Sequence, residues 1–268
     1  MAIHVVRINT TPVKGTALHQ PAQVTLGPVG VHENRRFHFI DARGTMINGK
    51  RAGELVRLRS DYDAEADRLS IALPDGRRIE DHVRASDEAV TTDFYGRPVH
   101  GHVVDGPWSA AVSEFAGVAL RLVRIAPEIT GTDVHPVTLI SRGTMEHVRS
   151  IAGGPAERWE DRFRMLFELD GLEPYEEDSW IDRSVAIGEA TVQVIGPVPR
   201  CVVTTHDPAN GVRSFDTLGA LRRARGEHRQ ALSTPTAHLP DGGKLLLGVY
   251  AVVEKPGAVQ LGSAASVR

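Results

Sequence analysis

Short runs in which apolar and polar residues alternate, cut by Gly, Pro, Asn and Asp, dominate the chain and predict strands more than helices. The clearest lie at residues 3–8 (IHVVRI), 37–40 (FHFI), 55–58 (LVRL), 69–73 (LSIAL) and 99–104 (VHGHVV). DARG at 41–44 and PDGR at 74–77 predict hairpin turns, with glycine supplying the positive φ. Helical spacing is rarer. It appears at 107–116, 142–151 and 218–225, and Gly117 just after the first predicts a C-cap. Strands are expected again over 180–194 and 244–260. The polar stretch 222–241 predicts a surface loop, and 263–268 a frayed end. A change of unit is expected near 118–128, which divides the chain into 1–120 and 121–268.

Composition changes this picture mainly by exclusion. A chain of 268 residues can bury one large core or two small ones. A net charge of −3 leaves no electrostatic footprint for nucleic acid or an anionic membrane surface. No window approaches the roughly 18 apolar residues of a membrane span, and the first residues are too polar for a signal peptide. The expectation is a cytoplasmic protein, in which a local basic cluster could still bind a small anion. Twelve histidines show no metal-binding spacing; His100 and His102 share one face of a strand but lack a third ligand.

The single cysteine, Cys201, excludes an intramolecular disulfide and a four-cysteine iron–sulfur site. It stands in GPVPRCVVTTHDPANG, residues 196–211. Arg200 beside the thiol favours the thiolate, the form that attacks electrophiles or binds soft metals. A buried free cysteine acting as a small hydrophobe is the competing reading, and the residues alone leave both open. His206, five positions on, is a candidate to tune a thiolate or move a proton.

The wider context resembles the MOSC domain family. PRCVVTTHDPANG at 199–211 resembles its cysteine signature, and YEEDSW at 175–180 with Ile187-Gly188 its EDSW…IGD segment. LGVYA at 247–251 and PGAVQLG at 256–262 resemble its closing strands. PVKG at 12–15 and NRRF at 34–37 resemble the PVKS and DRRW elements of the N-terminal β-barrel that precedes it. The resemblance implies a mainly β fold, an N-terminal β-barrel followed by a MOSC β-barrel, with peripheral helices. It implies a molybdenum cofactor of the molybdopterin type with Cys201 as protein ligand to the metal. Lys14, Arg35, Arg36, Lys50 and Arg164 are candidates for the cofactor's phosphate by charge, and the motifs favour Lys14, Arg36 and Arg164. With these three, Thr132, Asp133, Ser141, Arg200 and Tyr250 are the implied cofactor-binding residues, and His135 a second catalytic candidate. The activity implied is that of the amidoxime-reducing group, reduction of N-hydroxylated compounds, with electrons from separate donor proteins. A Cys201 persulfide carrier and a cofactor carrier are the alternatives. Four departures from the family pattern predict an altered pocket. Gly15 replaces serine, Met165-Leu166 replace Pro-Asn, Val134-His135 replace Thr-Ser, and Lys50 or Arg51 stands for a Thr-Arg pair.

Overall fold

The structure, a computed structural model, describes residues 2–155, 157–227 and 245–268. Strands form 42% of it against 19% helix, so the molecule is mainly β, as the alternation predicts. Its largest sheet is a nearly closed seven-strand barrel. The order is His4–Ile8, Phe167–Asp170, Val137–Ser141, Leu246–Lys255, Ala190–Pro199, Ser184–Ile187 and Ala265–Val267. All neighbours are antiparallel except Val137–Ser141 and Phe167–Asp170. The first strand also meets the last residues: Val5 N donates to Ser263 O at 2.9 Å and Gly262 N to Val5 O at 2.8 Å. Those bonds satisfy an edge that would otherwise stand open.

A five-strand sheet is built from Met46–Ile47, Phe37–Ile40, Arg121–Ile125, Arg97–Asp105 and Arg84–Phe94. Segments either side of the expected boundary therefore trade partners. Arg121–Ile125 pairs with the N-terminal sheet, while His4–Ile8 pairs with the barrel. One apolar core fills the barrel around Ile8, Leu139, Phe167, Val192 and Val249. A second lies under the five-strand sheet around Phe37, Phe39, Leu55, Leu69 and Trp108. Each buried side chain of this size stabilises by about 1.5–3 kcal/mol.

Helix α1, Trp108–Ala116, ends at Gly117 with φ 65°, the left-handed cap its sequence predicts. Helix α2, Arg142–Ala152, starts at Ser141, whose Oγ accepts from Thr144 N at 2.9 Å. Helix α3, Thr217–Glu227, packs against α2. Three expectations are corrected. Residues 263–268 are not frayed, because Ala265–Val267 is a strand paired with Ser184–Ile187 and Arg268 N donates to Ser184 O at 2.8 Å. Residues 55–58 are not a strand, because Gly53–Arg57 is a 3-10 helix. Leu55 and Leu58 are both fully buried three positions apart, and a 3-10 turn brings them onto one face where a strand would point them to opposite faces. Residues 222–227 are helical rather than loop; the rest of the expected loop, with His228 and His238, lies outside the described residues.

Candidate functional site

Residues from both sheets line a single cleft of about 1200 Å³, counting its open mouth. Lys14, Arg35, Tyr95, Asp133, Arg164, Cys201 and Tyr250 all reach it. The cysteine follows the strand Ala190–Pro199 and precedes a 3-10 turn, Val202–Thr205. Thr204 anchors that turn, its N and Oγ1 donating to the Cys201 carbonyl at 3.1 and 2.9 Å. The thiol is free and half-buried. Arg162 ties down the following loop by donating to His206 O at 2.8 Å and to Ser214 Oγ at 3.0 Å.

The cationic wall is knitted from three separate segments. Lys14 is buried, donates to Gly131 O at 3.1 Å and pairs with Asp133. Burial lowers its pKa, and Arg35 and Arg164 lower it further against the pull of Asp133. Arg35 Nη2 donates to Arg164 O at 3.2 Å, and Arg164 Nη2 donates to Thr16 O at 2.8 Å. Burial, followed by the charge of Arg35, pushes Arg164 down to about 9. Both arginines sit at φ 53°, the left-handed region that side chains of this size seldom adopt. Such strain persists where the surrounding structure imposes it, commonly at ligand sites. Arg200 is pushed down to about 10, chiefly by burial, and donates to Leu247 O and Phe163 O.

Among the described residues, five cationic side chains line the cleft (Lys14, Arg35, Arg162, Arg164 and Arg200) against three carboxylates (Asp133, Asp161 and Asp207). Asp161 is further engaged by Arg7 and Arg158. Burial would raise Asp133, but Lys14, Arg35 and Lys50 outweigh it and hold its carboxyl below the usual range. Like charges that depress one another's protonation are relieved by an anion, and guanidinium suits phosphate. The cleft thus supplies a cationic cradle and a free thiol together, the donor set a phosphate-bearing, thiolate-ligated metal cofactor requires.

Most of the sequence-based candidates reach this cleft, including Thr132 and His135. The Thr132 hydroxyl donates to His135 O at 2.8 Å. His135 packs edge-on against Tyr250, ring centroids 5.4 Å apart. Burial and then Arg97 lower His135 below the ordinary histidine value. Burial first, with Asp133 and Cys201 adding, pushes Tyr250 up to about 12 against the pull of Arg200 and Arg35. His206 also lines the cleft, its pKa lowered by burial and by Arg213 and Arg162.

Two candidates do not reach it. Arg36 turns the other way: its Nη1 donates to Ala126 O at 3.0 Å, and its neighbour Arg35 takes the cleft position. The positive φ at Arg35 redirects the chain there, so the arginine that lines the cleft lies one residue from the motif match. Ser141 is fully buried and spends its hydroxyl on capping α2. Gly15 has φ 94°, where a serine would be strained, so this departure from the family pattern has a backbone reason. Tyr95 and Arg162 were not singled out; their signals were an aromatic in a two-residue turn and the first arginine of RFRML.

Comparison with known proteins agrees with this assembly. The MOSC domain model matches residues 126–266, and the MOSC N-terminal beta barrel domain model matches residues 2–112. The chain belongs to the MOSC domain family. A molybdenum cofactor sulfurase from Danio rerio is 24% identical over 275 residues, spanning 89% of this chain and 30% of that protein. The human mitochondrial amidoxime-reducing component 1 is 27% identical over 145 residues, spanning 53% of this chain and 39% of that protein. Its mouse counterpart is 22% identical over 275 residues, spanning 93% and 76%. The match thus covers about a third of the length of the first two curated relatives. Among the described residues, no helix is long and apolar enough to cross a membrane.

Proposed function

We propose that the chain holds a molybdenum cofactor in this cleft and reduces N-hydroxylated small molecules. The observation that carries the reading is the meeting of Cys201 with the cationic wall of Lys14, Arg35 and Arg164 in one cleft. Neither feature alone would support it: a lone thiol suits many roles, and a cationic wall binds any anion. The three cations would hold the cofactor's phosphate, and the Cys201 sulfur its metal. When bound, the cofactor supplies two-electron oxygen-atom chemistry at the metal.

The protein's own groups handle protons and position. His135, lowered below the ordinary histidine value, is mostly neutral at pH 7, so it would relay protons taken from solvent to the oxygen that leaves as water. Tyr250 stays protonated throughout and offers a hydroxyl hydrogen. The activity should therefore follow His135 titration on the acid side of the usual histidine range, not around neutrality. Electrons would come from separate donor proteins. The amidoxime-reducing relatives support this substrate class, and the cationic wall favours it over a bare persulfide carrier, which needs no phosphate cradle.

The test begins with metal and pterin analysis of protein purified from a cofactor-competent host. Near-stoichiometric molybdenum that is lost in Cys201→Ser, with an unchanged melting temperature, is the expected result. Metal-free protein bearing a labile sulfane sulfur would instead establish the carrier of persulfide. Bound cofactor without turnover of any N-hydroxylated compound, given an artificial electron donor, would leave only a cofactor carrier.

A further inference from the structure

One residue of the cleft wall breaks a local rule that the proposed chemistry does not explain. Strands Arg84–Phe94 and Arg97–Asp105 pair with Phe94 opposite Arg97, so the hairpin closes through Tyr95 and Gly96 alone. Both have positive φ, 57° and 90°. A two-residue turn of this kind favours Asn-Gly, and Gly96 satisfies its half. A bulky aromatic ring in the first position does not, since its Cβ crowds the backbone there. An asparagine or glycine would close the same hairpin without that strain.

The surroundings hold the ring in place. Asn48 Nδ2 donates to the Tyr95 hydroxyl at 2.9 Å, and the Lys50 ammonium lies 4.4 Å from the ring centroid. Asp93 braces the turn by accepting from Gly96 N at 2.8 Å. Despite these contacts Tyr95 remains 48% exposed and lines the same cleft as Cys201. Its hydroxyl pKa is raised by burial first, then by Asp133 and Cys201, whose charges reach it. A strained, immobilised and half-open aromatic ring beside a reactive centre is built to touch a ligand, because immobility lowers the entropy lost on binding.

We infer that Tyr95 is a specificity-determining residue, a fixed aromatic platform on which a flat, uncharged aryl group of the substrate stacks. This rests on the reading that the cleft takes N-hydroxylated small molecules. Apolar Val56 and Val203 share the wall and suit a hydrocarbon ring. A cationic ring is disfavoured, because Lys50 already occupies the ring's attraction for positive charge and the cleft carries a surplus of cations.

The experiment titrates two probes calorimetrically into cofactor-loaded protein: an aryl N-hydroxyamidine and its methyl counterpart. Wild type, Tyr95→Phe, Tyr95→Asn and Tyr95→Gly are compared. The last two suit the turn and should melt at or above the wild-type temperature. Each should bind the aryl probe roughly tenfold more weakly, the scale of one aromatic contact, while binding the methyl probe within about twofold of wild type. Tyr95→Phe should keep the aryl preference. Equal losses for both probes, no loss of aryl affinity, or no wild-type binding of the aryl probe would overturn the inference. Selective, Tyr95-dependent aryl binding without any reduction would remove the proposed activity and leave this inference standing. Reduction of both probes with no Tyr95-dependent preference would do the reverse.

Discussion

Two groups of buried charge in this molecule have opposite characters. Arg225 on α3 and Asp178 form a pair that is almost wholly shielded from water. Arg225 also donates to Leu246 O at 2.9 Å and covers the Tyr175 ring at 4.1 Å, so its charge and hydrogen bonds are answered within the fold. Lys14 is buried too and Arg35 and Arg164 are half-buried, yet only Asp133, itself 47% exposed, answers Lys14 directly, while Arg35 and Arg164 spend their donors on neutral oxygens. The first arrangement closes its own electrostatics. The second leaves positive charge for something that is not protein. Burial alone therefore does not mark a functional charge; an unanswered excess does.

The largest expected effect comes from breaking the closed pair. Arg225→Ala leaves Asp178 charged and unpaired in the interior and should cost about 3–5 kcal/mol of stability. Denaturant melts of the apoprotein measure it, and an unchanged midpoint would mean the pair contributes nothing. The open group should respond in the opposite sense. Lys14→Met, Arg35→Met and Arg164→Met remove like charges at similar volume, so apoprotein stability should hold or rise. Cofactor affinity should fall roughly ten- to a hundredfold for each, the size of a charge-assisted hydrogen bond of about 1.5–3 kcal/mol. Pterin content of the purified variants reads this out. Arg36→Met sharpens the contrast: one residue from Arg35 but outside the cleft, it should leave pterin content unchanged.

The smallest effect concerns pH. Burial raises Glu168 from the usual carboxylate value to about 7. The folded state then holds a proton that the unfolded state releases near pH 4.5, so stability falls as pH rises through that window and levels off above about 7. Glu168→Gln keeps the carbonyl that accepts from Asn9 and removes the titration, so its stability should vary less between pH 4.5 and 7 than the wild type's. Parallel curves for the two proteins would refute the assignment.

Much of the fold was legible because alternation and turn chemistry are local. Residues 3–8, 37–40 and 99–104 became strands, and Gly117 capped α1. Leu55 and Leu58 misled, since four residues with apolar ends suit either a strand or one 3-10 turn, and only the buried partners decide. The site was partly legible through its motifs, which located Cys201, Lys14 and Arg164. Arg35 was displaced by Arg36 because which of two adjacent arginines faces a cleft depends on a backbone angle that composition does not encode. Ser141 caps α2 outside the cleft, and the sequence did not show this because a hydroxyl after a strand serves equally as a pocket donor or a helix cap. Tyr95 escaped notice because its meaning lies in strain, which appears only when φ is known.

The first strand of the chain, His4–Ile8, bonds both to Phe167–Asp170 and to residues 262–265. A ribosome delivers the earliest of these segments long before the latest, at roughly 5–20 residues each second. During that interval the strand has no barrel to join, and contacts so distant along the chain are slow to close. Lys14 and Arg35 also emerge well before Cys201 and Tyr250. The cleft therefore comes into being only once Tyr250 has been made. Any ligand it holds must be loaded after that point, and a chain that stalls before Leu246–Lys255 would offer the open edge of its partner Val137–Ser141 to chaperones or to other unfinished copies.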